Sequence, residues 1–186
     1  MQLKTKSYKS FRDEVKNGDV LMYKNSGIIA WIVMKIIGSE TYSHAGIVAW
    51  WNQRLMVMEA VGKGVIVTPL SYNIEHAHGD VEWYRSVEPI SDERRIQMVQ
   101  FAQQELGKKY AMWKAILLFI GRTLKLDFDK TDKLKRENHL FCSQYVSAIY
   151  NSIGIDLKKN LSDRFMAPDD IAASPKLEFQ AIIKKM

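Results

Sequence analysis

The chain has 186 residues, 47% of them hydrophobic and 26% charged, with ten Gly, four Pro and a formal net charge of +6. That composition excludes a disordered, collagen-like or low-complexity protein, and a chain of this length can bury roughly 70% of its unfolded surface as one domain. A single cysteine, Cys142, excludes an internal disulfide and a Cys-rich zinc site.

The N-terminal stretch MQLKTKSYKSFRDEVK carries bases but no apolar run after them, so it does not read as a secretory signal. The longest uncharged apolar stretch, Ser26 to Met34, is far shorter than the 18 or so residues of a membrane span. A cytoplasmic location is expected, and release by lysis or by a partner would leave the same sequence signature. Residues 8 to 17 read as a short amphipathic helix ending at Gly18, the usual C′ residue. Asp19 to Lys24 reads as a strand, and Ile28 to Ile37 as an apolar helix closed by Gly38. Three strands follow, His44 to Trp51, Arg54 to Val61 and Gly64 to Leu70, with Val81 to Val87 as a fourth, on their Val, Ile, Trp and Tyr content.

The second half is predicted helical. Ser91 caps a helix running to Gly107, with Asp92 and Glu93 at the positive end of its dipole. Met112 to Leu124 and Leu140 to Ile153 read as two more helices, the second closed by Gly154, and Leu177 to Ile183 as a last strand. The expected architecture is α+β, an antiparallel sheet packed with helices, forming one domain over residues 1–186.

Cys142 lies four residues before Val146 on the apolar face marked by Val146, Ile149 and Ile153. Two readings of it stand side by side. It fills core volume, as most lone intracellular cysteines do, or it is a nucleophile whose thiolate is favoured in the first turn of a helix. The second reading needs a base. His139 precedes the thiol by three residues and serves equally as a loop residue. His76 and His78 form an H-x-H pair beside Glu75 and Asp80 on a loop between strands, a weak metal signal without a third ligand. His44 instead opens a strand. If Asn52 and Gln53 form the hairpin turn, paired residue numbers sum to 105, and His44, Gly46 and Glu59 project from one face. His44 and Glu59 are then diagonal neighbours about 7–8 Å apart at Cα, close enough for long side chains to bond. Glu59 interrupts the apolar run LMVMEAV, where a charge needs a partner. Cys142, His44 and Glu59 thus make a candidate set for nucleophilic acyl transfer.

Five segments occur in the order seen in the permuted papain-like cysteine hydrolases: Gly18-Asp-Val20, Tyr42-Ser-His-Ala-Gly-Ile-Val48, Met58-Glu-Ala60, Thr68-Pro-Leu70 and Phe141-Cys-Ser-Gln144. Gly107-Lys-Lys-Tyr110 and the segment from Ala167 to Pro175 also resemble that family, the YaeF/YiiX group of the NlpC superfamily. The resemblance implies a circularly permuted papain-like fold with a five- or six-stranded sheet. It implies Cys142 as nucleophile, His44 as base and Glu59 as third polar residue, with Tyr42, Tyr110, Ser143 and Gln144 as substrate contacts. Ala111 and Gln144 stand where the family often has Asp and Glu.

The implied function is hydrolysis of, or acyl transfer from, an amide or ester through a Cys acyl-enzyme, on cell-wall peptide or lipid-linked substrates. A non-catalytic binding module for an anionic or lipid-like ligand is the rival, because Ala111 and Gln144 are what a drifted site would show. No metal or organic cofactor is called for. Residues 108–136 carry nine bases and three acids, and hence the whole net charge. Apolar side chains from Met112 to Leu126 alternate there with Lys114, Arg122 and Lys125. A solvated rim over ordinary core and a wall facing an anionic membrane surface both fit residues 112–136. No nucleic-acid-binding motif accompanies the charge, so a nucleic-acid partner is not expected.

Overall fold

The computed structural model describes residues 4–62, 64–108, 142–159 and 166–185, with the backbone alone at 29, 33, 36 and 37. In chain order the elements are β1 (Thr5–Ser7), α1 (Tyr8–Glu14), β2 (Val20–Tyr23), α2 (Ile28–Ile37), β3 (His44–Trp51), β4 (Arg54–Val61), β5 (Gly64–Pro69) and α3 (Leu70–His76). β6 (Val81–Ser86), α4 (Asp92–Gln104), α5 (Cys142–Asn151), α6 (Pro168–Ala172) and β7 (Leu177–Lys184) follow. The expected helix over Met112 to Leu124, the basic stretch 112–136, His139 and Tyr110 lie outside the described residues.

The strands form one seven-stranded sheet in the order β1-β7-β6-β2-β3-β4-β5. This corrects the expected five or six strands. The extra one is β1, whose sequence Thr-Lys-Ser has no apolar alternation and which runs parallel to β7 at the sheet edge, Thr5 opposite Ile182. A second correction concerns residues 70–76, expected to end a strand and open a loop. They form α3, which carries His76 at its last turn. α1 ends at Glu14, three residues short of the expected stop, because the chain turns extended at Val15.

Alternation along the strands sorts the side chains onto two faces. Val20, Met22, Ala45, Ile47, Ala49, Met58 and Ala60 face one core, filled by Met98 of α4 and by Tyr145, Val146 and Ile149 of α5. Leu21, Tyr23, Val48, Val57 and Trp83 face a second core, filled by Phe11 of α1 and by Leu70 and Ile74 of α3. Phe11 is fully buried and meets Trp83 edge-on at 5.2 Å.

Between the cores, the carboxylate of Asp19 is almost fully buried. It accepts from Trp83 Nε1 at 2.9 Å and Arg85 Nη2 at 2.7 Å, and Arg95 pairs with it from α4. Two guanidinium groups are what make a buried carboxylate tolerable. The hydroxyl of Tyr150 on α5 donates to the Gly18 carbonyl at 2.8 Å, which fixes the helix that begins with Cys142 against the start of β2.

Candidate active site

The β3–β4 hairpin turns at Asn52, whose φ of 56° is left-handed, and pairs Trp51 with Arg54 and Ile47 with Met58. These pairs obey the sum of 105, so His44 and Glu59 emerge on the same face of adjacent strands. Their side chains close the diagonal with a hydrogen bond of 2.7 Å between His44 Nε2 and Glu59 Oε2. Gly46 lies between them. A Cβ there would sit 2.8 Å from Val57 Cγ2 and 3.5 Å from Glu59 Cβ, so glycine leaves the space that the Val57 side chain fills.

Cys142 opens α5, the positive end of that helix, and is 4% exposed. Its thiol is in hydrogen-bond contact with the His44 ring. Since Nε2 is bonded to Glu59, Nδ1 is the nitrogen left for the thiol. Burial pushes the thiol pKa up, but the charge and hydrogen bond of His44, with the backbone N–H groups of Ala45 and Ser143, outweigh it and leave it below the ordinary value. Burial by itself would depress the His44 pKa. The Cys142 thiolate and, after it, Glu59 outweigh that burial and raise it above the ordinary value. Both shifts run in the direction that favours a thiolate–imidazolium pair.

Two residues that the sequence did not single out complete the surroundings of Glu59. Asn73 of α3 donates from Nδ2 to Glu59 Oε1 at 2.8 Å, and Tyr23 of β2 donates its hydroxyl to Asn73 Oδ1 at 2.7 Å. The Tyr23 ring lies 5.2 Å from the His44 ring, at positions paired across β2 and β3. A third, Asp169 at the start of α6, accepts from the backbone N–H groups of Glu40, Thr41 and Tyr42 at 2.7, 3.1 and 2.9 Å and from Ser39 Oγ at 2.6 Å. It clamps the turn that leads into His44.

The expected substrate contacts are placed differently from one another. Tyr42 is 8% exposed and donates its hydroxyl to the buried carboxylate of Glu82 at 2.6 Å, where Lys24 also pairs at 2.5 Å. Ser143 is buried, with its hydroxyl donated to the Met166 carbonyl, and Gln144 is buried on α5. His76 bonds the Tyr72 carbonyl through Nδ1 at 2.8 Å and stacks on the Tyr72 ring, while the His78 backbone N–H donates to Asn25. Among the described residues, no group of three or more His, Cys, Asp or Glu side chains is placed to hold a metal ion, and no helix is long and apolar enough to cross a membrane.

No curated protein matches the sequence. Among solved structures, the chain is similar to the metalloprotein YiiX of Escherichia coli O157:H7, with a TM-score of 0.65 and 22% identity over 90% of this chain and 97% of that one. At that identity the likeness is one of fold. The family model described as permuted papain-like amidase enzyme, YaeF/YiiX, C92 family, matches residues 14–179. Spanning almost all of the sequence, that match makes the chain a member of the permuted papain-like amidases, a family of cysteine amidase-like hydrolases.

Proposed function

We propose that the protein cleaves an amide or ester through a Cys142 acyl-enzyme, with His44 as acid–base and Glu59 as its orienting partner. The observation that carries this reading is the 2.7 Å bond from Glu59 to the far nitrogen of the same imidazole that meets the thiol. In the first half-reaction, Cys142 Sγ attacks the carbonyl carbon and the bond to the leaving amine or alcohol breaks. The leaving group takes its proton from His44. Water, or a second acyl acceptor, then attacks the thioester; His44 takes its proton, and the thiol is regenerated. Glu59 keeps one ring orientation and stabilises the imidazolium throughout. The backbone N–H of Cys142 is assigned to the developing oxyanion.

The YiiX neighbour is described as a metalloprotein. In this chain the thiol and the carboxylate each bond the His44 imidazole. On charge alone, residues 112–136 favour an anionic substrate or surface. Sedimentation with anionic and neutral vesicles at low and high salt checks this. Equal, negligible binding to both would leave a peptide amide as the better substrate class.

The test of turnover is mass measurement of the intact protein after reaction with an acyl-directed electrophile. One adduct at Cys142 that is lost in His44→Ala supports the hydrolase. Labelling indifferent to His44→Ala would instead support a binding module that has kept the fold.

A further inference from the structure

Tyr23, Asn73, Glu59 and His44 come from β2, α3, β4 and β3, and they close a ring. Tyr23 donates to Asn73, Asn73 to Glu59, Glu59 holds His44, and the His44 ring returns to lie against the ring of Tyr23. The direction of this ring is fixed by chemistry. An ionised carboxylate only accepts, so Asn73 must present its NH₂ group to Glu59 and its carbonyl to Tyr23. The Tyr23 hydroxyl must then donate. It keeps its proton to do so, because burial, and after it the charge of Glu59, hold its pKa well above the ordinary value. Glu59 is 5% exposed, so the bond from Asn73 is one of few that it receives in place of water.

We propose that Asn73 and Tyr23 are positioning residues of the reaction, a donor relay that holds the Glu59 carboxylate aimed at His44 Nε2. The inference rests on the Cys142–His44–Glu59 reading above. With the amide in place, the Glu59 carboxylate is held against the imidazole. Without it, the buried carboxylate has lost a donor and is free to turn, and its hold on the imidazolium weakens. Among the described residues, the titratable groups facing Glu59 are His44 from β3 and Tyr23 from β2. α3 presents the neutral Asn73, and its His76 is bonded to the Tyr72 carbonyl instead. Among the described residues, the groups facing His44 are Cys142, Glu59 and Tyr23.

The test needs no substrate. His44 is titrated through its ring C–H resonance, and Cys142 alkylation by iodoacetamide is followed against pH, in wild type, Asn73→Leu, Tyr23→Phe and Glu59→Gln. Leucine keeps the heavy-atom branching of Asn73 and removes its donor. The expected result is a fall in the His44 inflection by about one pH unit in Asn73→Leu, a tenfold loss of proton affinity. Tyr23→Phe should shift it in the same direction by less, since the ring remains and only the amide is freed to turn. Folded Asn73→Leu with an unmoved His44 inflection overturns the inference, because a space-filling role predicts that result. If Asn73→Leu fails to fold, an unmoved inflection in Tyr23→Phe overturns it. A wild-type Cys142 that alkylates like a free thiol would sink the underlying reading instead. A wild-type pair that is intact but unmoved by either variant sinks only the relay.

Discussion

His44 and Glu59 sit fifteen residues apart on neighbouring strands, yet Nε2 and Oε2 are 2.7 Å apart, which leaves the imidazole only its other nitrogen for the Cys142 thiol. Glu59→Gln replaces the negative partner with a neutral amide. Hydrolysis of an activated ester is expected to fall roughly 10²–10⁴-fold, because the imidazolium loses its counter-charge and its fixed tautomer. The protein should still fold, as a circular dichroism spectrum of the variant would show.

The pair also sets a pH window. As pH falls through the lowered Cys142 value the thiolate is lost, and as pH rises through the raised His44 value the proton for the leaving group is lost. Ester hydrolysis is therefore expected to hold a plateau between the two. In stability terms, His44 contributes fully below its ordinary value of 6.5, and the contribution is lost as pH rises through the raised folded value. Cys142→Ser removes the thiolate, the larger of the influences that raise His44. The His44 inflection of that variant should move down, measured by the same ring resonance. A His44 titration identical in wild type and Cys142→Ser would contradict the ion pair.

Asp169 acts from farther away. Its carboxyl pKa is lowered: burial raises it, but Ser39 and the N–H groups of residues 40–42 outweigh that effect. This contribution to stability is present above the ordinary value of 3.8 and is lost as pH falls through the lowered folded value. Asp169→Ala strands several donors near the His44 turn and should cost about 1–3 kcal/mol in urea unfolding. Ester hydrolysis should fall along with it, since the turn leads directly into the base.

Gly46→Ala is expected to destabilise by about 1–3 kcal/mol, because the new methyl would occupy the space of Val57 Cγ2. The remedy is specific. Val57→Ala in the same chain should recover part of that loss, and a double-mutant cycle in thermal unfolding would measure it. Two costs that simply add would mean that the strands, rather than the Val57 side chain, receive the strain.

Phe11→Ala should cost about 3–5 kcal/mol, since a fully buried ring packed edge-on against Trp83 is replaced by a cavity. Chemical denaturation checks it. The site lies on other elements, so labelling of Cys142 in the folded fraction should not change.

Short-range patterns in the sequence carried much of this arrangement. The apolar run Ile28–Ile37 with Gly38 behind it has the bounds of α2. The two-residue turn at Asn52 carried enough register to bring Glu59 to His44. What escaped reading depends on contacts between distant segments. β1 is a strand only because β7 offers it an edge. Asn73 sits in a short helix with little periodic signal, and it matters because α3 packs over β4 beside Tyr23. Asp169 carried one legible clue, an acidic residue after a proline at a helix start, but its acceptors' partners lie about 130 residues earlier.

The clamp by Asp169 has a consequence for how the protein is made. During synthesis His44 and Glu59 emerge long before Cys142, and the residue that secures the turn before His44 emerges later still. A growing chain therefore presents His44 and Glu59 before Cys142, and all three before Asp169. The clamp can close only after α6 has emerged, so the turn before His44 is secured later than the β3–β4 hairpin that it leads into.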